Sequence, residues 1–193
     1  MIRKVGQESQ KTWDFKMQSG FFDAYMAGRG LDIGHTGYAQ GVKPILPGAT
    51  GVDLDYPGYD GHTLPFDDRS QDYVYSSHML EHVDSYPQMI GEMFRVTKQF
   101  GHIIIVVPHQ YLYERKYSKP SQWNADHKRF YTPSTLLDEV ELTLDPNTYR
   151  VRLLRDNDAG YDYTIPVDKH PSGSYEIECV LQRIAPPAWE LQP

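Results

Sequence analysis

The chain is poor in cysteine, in basic charge and in long apolar runs, and each shortage removes a class of answers. Its 193 residues include one cysteine, Cys179, which rules out an internal disulfide framework and suits a reducing compartment. Acidic residues outnumber basic ones, 26 against 19, for a formal net charge of -7. Proteins that grip a phosphate backbone concentrate Lys and Arg to release counterions, so DNA is not an expected partner. The basic stretches RKYSKP and DHKRFY are small. No apolar run approaches the ~20 residues of a membrane span. The opening MIRKVGQESQKTWDF has no apolar region of the kind a secretory signal carries. These readings point to the cytoplasm.

What is present fits one domain, residues 1–193, long enough to bury a core. Fifteen tyrosines suit either a polar ligand cleft or a half-buried surface, since each ring packs while its hydroxyl seeks a partner. Trp13, Met17, Phe21 and Tyr25 recur at i, i+4 steps. That spacing predicts an amphipathic helix within residues 1–28, over the cleft and stopped by Gly28 and Gly30. GLDIG and ATGVDLD read as short strands, DYVYSSH as a third, and YPQMIGEMFRVTKQFG as a helix. HIIIVVP is a continuous apolar run, the mark of a buried parallel strand. TPSTLLDEVEL starts on a capping residue and reads as a helix. TYRVRLLR and SYEIECVLQRI alternate like half-exposed strands that pair antiparallel. Residues 109–132 lack a period and read as a loop covering the acceptor; 186–193 read as a loose tail.

Strands alternating with helices imply an α/β sheet with parallel strands, whose ligand sits at the strand carboxyl ends near a topological switch point. Three such ends carry polar residues: Asp32–Gly34, Asp53–Asp55 and Ser76–His78. Asp53 follows Gly34 by 19 residues, near the spacing at which an acid accepts hydrogen bonds from ribose hydroxyls. The plain alternative is a loop-initiating aspartate.

The blocks LDIGHTGY, GVDLD, DGHTLPFDDRSQDYVYSSHMLEHV and EMFRVTKQFGHIIIVVP, in this order, resemble class I S-adenosylmethionine-dependent methyltransferases. They are most similar to the small branch that reads LPF…SSHxLEHV, of the methyltransferase type 11 kind. The resemblance covers residues 29 to 108, with a weaker echo at DHKRFYTPSTL. It implies a Rossmann-like, doubly wound α/β sheet, mostly parallel with an antiparallel last strand, and S-adenosylmethionine over the strand ends. It places Asp53 on the ribose, Asp60 near the adenine and Gly34 under the methionine part, with Asp32, His35, Leu54 and Ser77 in the same cofactor set. Two departures stand out. Thr36 occupies the place of the family's second loop glycine, which Gly37 takes over after a one-residue shift. Only eight residues, 56 to 63, separate Asp55 from Leu64, too few for a crossover helix plus strand. The usual third strand and its helix are therefore expected to be missing, with residues 56 to 71 a loop.

Methyl transfer from a sulfonium is an in-line displacement that chiefly needs positioning, and a hydroxyl acceptor also needs a base. His78, at the end of the third recognised strand, is the first candidate for base or orienting group; the bland reading is a cap facing backbone. His127, in the covering loop, and His109, directly after HIIIVVP, are the others. As catalytic candidates His35, His62, His102 and His170 have no comparable context and read as solvated. His78, Glu81 and His82 fall at i, i+3 and i+4, one face if the turn is helical. His109 or His127 could complete a divalent metal shell there. In similar enzymes LEHV is structural, so a metal is not the favoured reading. Arg95 and Lys98 read as a wet helix face, and Trp123 as a sugar platform or a plug.

The sequence has SSHML where adenine and glutamine N-methyltransferases carry an Asn/Asp-Pro-Pro-Tyr motif. The resemblance therefore implies O-methylation, with a sugar, glycan or other small hydroxylated molecule as acceptor, by analogy with surface-polysaccharide and natural-product pathways. The alternatives are metal-assisted RNA 2′-O-methylation and a cofactor-binding module without chemistry. Oligomeric state is left open.

Overall fold

The computed structural model describes residues 4–35 and 41–189. Thr36 and Gly37, on which the loop-glycine question turns, lie outside the described residues, as do the last four residues of the expected tail.

Two helices, α1 (Gln7–Gln18) and α2 (Phe21–Tyr25), precede the sheet. Strands β1 (Gly30–Ile33), β2 (Ala49–Val52) and β3 (Gln71–Ser77) follow, then α3 (Tyr86–Val96) and the long β4 (Thr97–Pro108). After a short π-helical turn at Gln110–Glu114 come α4 (Pro133–Thr143), β5 (Tyr149–Asn157) and β6 (Glu176–Arg183). The six strands lie in the order β2-β1-β3-β4-β6-β5. β2, β1, β3 and β4 pair in parallel, while β6 runs antiparallel to both β4 and β5. This is the mostly parallel sheet with an antiparallel last strand that the sequence leads one to expect. No helix or strand lies between Val52 and Gln71, so the third strand and its helix are indeed missing.

Strand alternation sorts side chains onto two faces. On β4, Ile103, Ile105 and Val107 join Met89, Ile90 and Met93 of α3 and Leu136 and Val140 of α4 in one core. Ile104 and Val106 point the other way, to Tyr73, Tyr75, Phe21 and Phe22. Thr132 caps α4 as expected, its side chain accepting the Thr135 N–H in a capping box. Cys179 is buried, and burial pushes its thiol up to about 12. No helix among the described residues is long and apolar enough to cross a membrane.

Several local expectations need correction. The N-terminal helix is two helices, broken at Gly20, whose φ of 72° lies in the left-handed region that favours glycine. The buried face of α1 is polar, Ser9, Thr12 and Lys16, while Phe15 and Met17 are exposed. β6 is buried along most of its length, because it sits between β4 and β5 instead of at an edge. Arg95 is no wet surface residue: it donates to the Phe66 and Leu64 carbonyls at 2.9 Å and pairs with Glu92 and Asp68. Glu92 in turn accepts the Leu64 N–H at 2.8 Å. The LPF stretch is thus clamped to α3. Lys98 lies on β4 and pairs with Asp72 at 2.6 Å.

Candidate active site

The chain passes from β1 to β2 on one side and returns to β3 on the other, so the switch point lies between β1 and β3. A cleft of about 640 Å³ opens there, lined among others by Asp32, Gly34, His35, Ser77 and His78. Glu81, His82, Tyr113, Asn124 and His127 line its far side, and residues 4–10 before and within α1 line another wall.

Gly34 fits the geometry of a close backbone approach. Its φ is 77°, its N–H donates to the Val52 carbonyl at 2.8 Å, and an added Cβ would meet Met79 at 2.8 Å. Asp32 is buried, and its carboxylate accepts the Ile45 N–H at 2.7 Å, so it braces the loop after β1. His35 is buried, not solvated, with its ring against Gly51, where a Cβ would meet it at 2.5 Å. Burial lowers its basicity, against the pull of Asp53 and Asp55. The parallel register Ile33↔Val52 sets Asp53 level with Gly34 on the neighbouring strand end. Asp53 does not line the cleft itself; it accepts the Leu54 N–H at 2.8 Å. Leu54 is 74% exposed, unusual for a leucine next to a buried strand. Asp60 lies farther along the loop, outside the cleft lining. Its carboxylate accepts the Thr63 and His62 N–H groups, which hold it below the usual carboxylate range. The Ser77 hydroxyl is buried without a partner.

The histidines sort differently from the sequence ranking. Residues 78–82 form turns and not a helix, with His78 at φ 51° and the His82 N–H donating to the Met79 carbonyl. The His78 side chain does not face backbone. Its Nδ1 is 3.8 Å from Glu81 Oε1 and its Nε2 3.5 Å from Glu176 Oε1. Burial opposes its charge, but Glu176, Glu81 and Glu8 outweigh burial and hold the imidazole above the usual histidine range. These carboxylates favour the protonated ring, which makes His78 a weaker candidate for the base. His109 does not reach the cleft. Its Nδ1 accepts the Tyr111 N–H at 3.0 Å, capping the π-turn, and its Nε2 faces Asp156 at 3.5 Å. The structure thus places His109 outside the cleft lining, in contrast to His78 and His127.

His127 is buried on the cleft wall with Nδ1 2.5 Å from Glu114 Oε1 and Nε2 3.9 Å from Glu81 Oε1. A carboxylate only accepts, so this contact calls for a proton on Nδ1, while Nε2 faces Glu81 on the cleft wall. Glu114 was not signalled by the sequence, since it lies in the unpatterned stretch after β4. Trp123 is a plug: its Nε1–H donates to the Tyr113 carbonyl at 3.0 Å, and its ring packs edge-on to His170.

Behind His78 lies a buried ionic group that the sequence reading also missed. Even-numbered β6 residues face α1, which brings Glu176 and Glu178 to Lys16, at 3.2 and 3.1 Å. Burial would lower Lys16, yet Glu176, Tyr75 and Glu178 hold it well above the usual lysine range. Burial would raise Glu176, yet Lys16 and His78 hold it at about 2.

Residues 31–105 match the model of a family described as methyltransferase domain. A curated relative, the biotin biosynthesis bifunctional protein BioHC of Cellvibrio japonicus, is 30% identical over 92 residues. That match takes in 48% of this chain and 18% of the relative, so the chain spans a minor part of that protein. Among solved structures, a SAM-dependent methyltransferase from Aquifex aeolicus has a TM-score of 0.57 at 13% identity, covering 93% of this chain and 94% of that one. Another from Thermotoga maritima has a TM-score of 0.54 at 15% identity, covering 92% and 100%. At such identities the likeness is one of fold. Residues 31–105 thus match a methyltransferase domain, and the chain around them has the fold of the S-adenosylmethionine-dependent methyltransferases it resembles.

Proposed function

We propose that the chain transfers a methyl group from S-adenosylmethionine to a hydroxyl of a sugar, glycan or other small molecule held in the cleft. The observation that carries the reading is the Glu114–His127 pair, buried on the wall of a cleft that opens at the switch point. The acceptor oxygen attacks the sulfonium methyl, the C–O bond forms as the C–S bond breaks, and S-adenosylhomocysteine leaves as a neutral thioether. The hydroxyl proton passes to His127 Nε2, the free lone pair of the pair. His78 then orients the acceptor as a donor, the second of the two roles its strand-end position suggests.

Cofactor contacts follow from the strand ends. Gly34 admits the methionine part, Asp53 accepts from the ribose hydroxyls, and Ser77 offers its unpartnered hydroxyl. Leu54 gives the adenine an apolar seat. Covering its exposed side chain is worth up to roughly 1.5–3 kcal/mol. Asp32 and His35 act behind these groups as braces of the loop, and Asp60 shapes the adenine end through its own turn.

The test is transfer of labelled methyl from S-adenosylmethionine to a panel of glycosides, oligosaccharides, small alcohols and phenols, amines and short RNA. The reading expects label in an alkali-stable ether of a small hydroxylated acceptor. Label in amines or RNA alone would overturn the acceptor class. Cofactor binding with no transfer to any of them would favour a module without chemistry.

A further inference from the structure

We propose that Glu81, His82 and His127 form a binding site for one divalent transition-metal ion. One ligand atom from each, a carboxylate oxygen and two imidazole nitrogens, lies within 4.8 Å of the others. The set differs from the one spacing suggests. The turn at residues 78–82 aims His78 at Glu176 as well as Glu81, and His127 takes its place from the covering segment.

Glu81 supplies the second and independent observation. The residue is 0% exposed, and neither carboxylate oxygen has a hydrogen-bond partner. A buried carboxylate without hydrogen bonds is costly, and only the imidazoles of His78, His82 and His127, each nearly 4 Å away, offset its charge here. Nitrogens of His82 and His127 stand 3.8 and 3.9 Å from Glu81 Oε1, too far for hydrogen bonds. Ligand atoms around a tetrahedral ion with bonds of about 2.1 Å sit roughly 3.4 Å apart, so the Glu81 distances need to shorten by about half an ångström and the widest gap, within 4.8 Å, by at most about 1.4 Å.

His127 also has the outer partner that metal-bound imidazoles use to fix tautomer and ring orientation, Glu114 at 2.5 Å from its Nδ1. Two nitrogens and one carboxylate suit zinc, cobalt or iron(II), not the all-oxygen shells of calcium or magnesium. Three protein ligands leave a position open, and it faces the cleft, since all three residues line it. An ion there and a free His127 base are alternatives for the same lone pair, so binding is read without reference to activity.

The experiment titrates the chelator-treated full chain with Co²⁺, following its visible absorption, and then with competing Zn²⁺ and Mg²⁺. The expected result is one Co²⁺ per chain, displaced by Zn²⁺ and indifferent to Mg²⁺. His82→Ala and Glu81→Gln should each weaken binding at least tenfold, and Glu114→Gln by roughly 10–100-fold through the outer contact. His62→Ala, altering an exposed histidine outside the cleft, should bind like the wild type. His82 is partly exposed, so its variant serves if Glu81→Gln misfolds. Absence of saturable Co²⁺ binding, or full affinity in His82→Ala, would overturn the proposal. Neither outcome bears on methyl transfer, which the labelled-methyl assay decides on its own.

Discussion

His127→Ala is expected to lower the rate of methyl transfer in chelator-treated protein by roughly 10²–10⁴-fold, the usual worth of a positioned base. Affinity for S-adenosylhomocysteine should stay within a few-fold of wild type, because His127 lines the cleft on the side away from the strand ends proposed to seat the cofactor. Glu114→Gln sharpens the reading. A glutamine amide can donate to Nδ1, which moves the imidazole proton to Nε2 and removes the lone pair from the cleft. Turnover should therefore fall in Glu114→Gln although volume and hydrogen bonding are nearly kept. His78→Ala should cost turnover less than His127→Ala and stability more, since it strips a positive partner from Glu176. Wild-type turnover in both His127→Ala and Glu114→Gln would leave proximity alone to explain the rate.

Lys16→Met is the second large effect, and it falls on stability. Removing the ammonium leaves Glu176 and Glu178 buried beside each other, and breaking a buried pair by deleting one partner costs about 3–5 kcal/mol. For a chain of this size that is roughly a 6–20 °C fall in melting temperature. The pH dependence has a definite sign. Glu176 titrates at about 2 in the fold against 4.5 in its ordinary state. A depressed carboxyl contributes stability that is present in full above pH 4.5 and lost as pH falls toward 2. The shift is worth on the order of 3 kcal/mol. In Lys16→Met that contribution is largely gone already, so the gap between variant and wild type should shrink from pH 6 to pH 3. Thermal melts across that range measure it. A gap that stays constant or widens would mean that the Lys16–Glu176 pair does not govern this part of the fold.

The sheet was legible because its signals are local and periodic. HIIIVVP can only be buried on both faces, and the short span after Asp55 leaves no room for a crossover helix. Those features, with the polar residues closing β1, β2 and β3, located the cleft at the switch point. The chemistry within it was less legible, since it depends on contacts distant in sequence. Nothing near His127 marks Glu114 as its partner, because a π-turn and an irregular covering segment join them. His78 ranked first on its position at a strand end, but besides Glu81 the acids acting on it are Glu176 on β6, 98 residues on, and Glu8 on α1. Glu176 and Glu178 did leave a trace, acids on one face of an alternating apolar strand. The Lys16 that pairs with them sits in a helix whose aromatic spacing pointed to a different buried face.

The central claim is that the ends of β1, β2 and β3 seat S-adenosylmethionine, and calorimetric titration with S-adenosylhomocysteine tests it most directly. The wild-type chain should bind one equivalent. Asp53→Ala should bind more than tenfold more weakly, because hydrogen bonds from ribose hydroxyls to a carboxylate are worth roughly 1.5–3 kcal/mol each. A folded Asp53→Ala protein with wild-type affinity, or a wild-type chain that binds none, would contradict the claim.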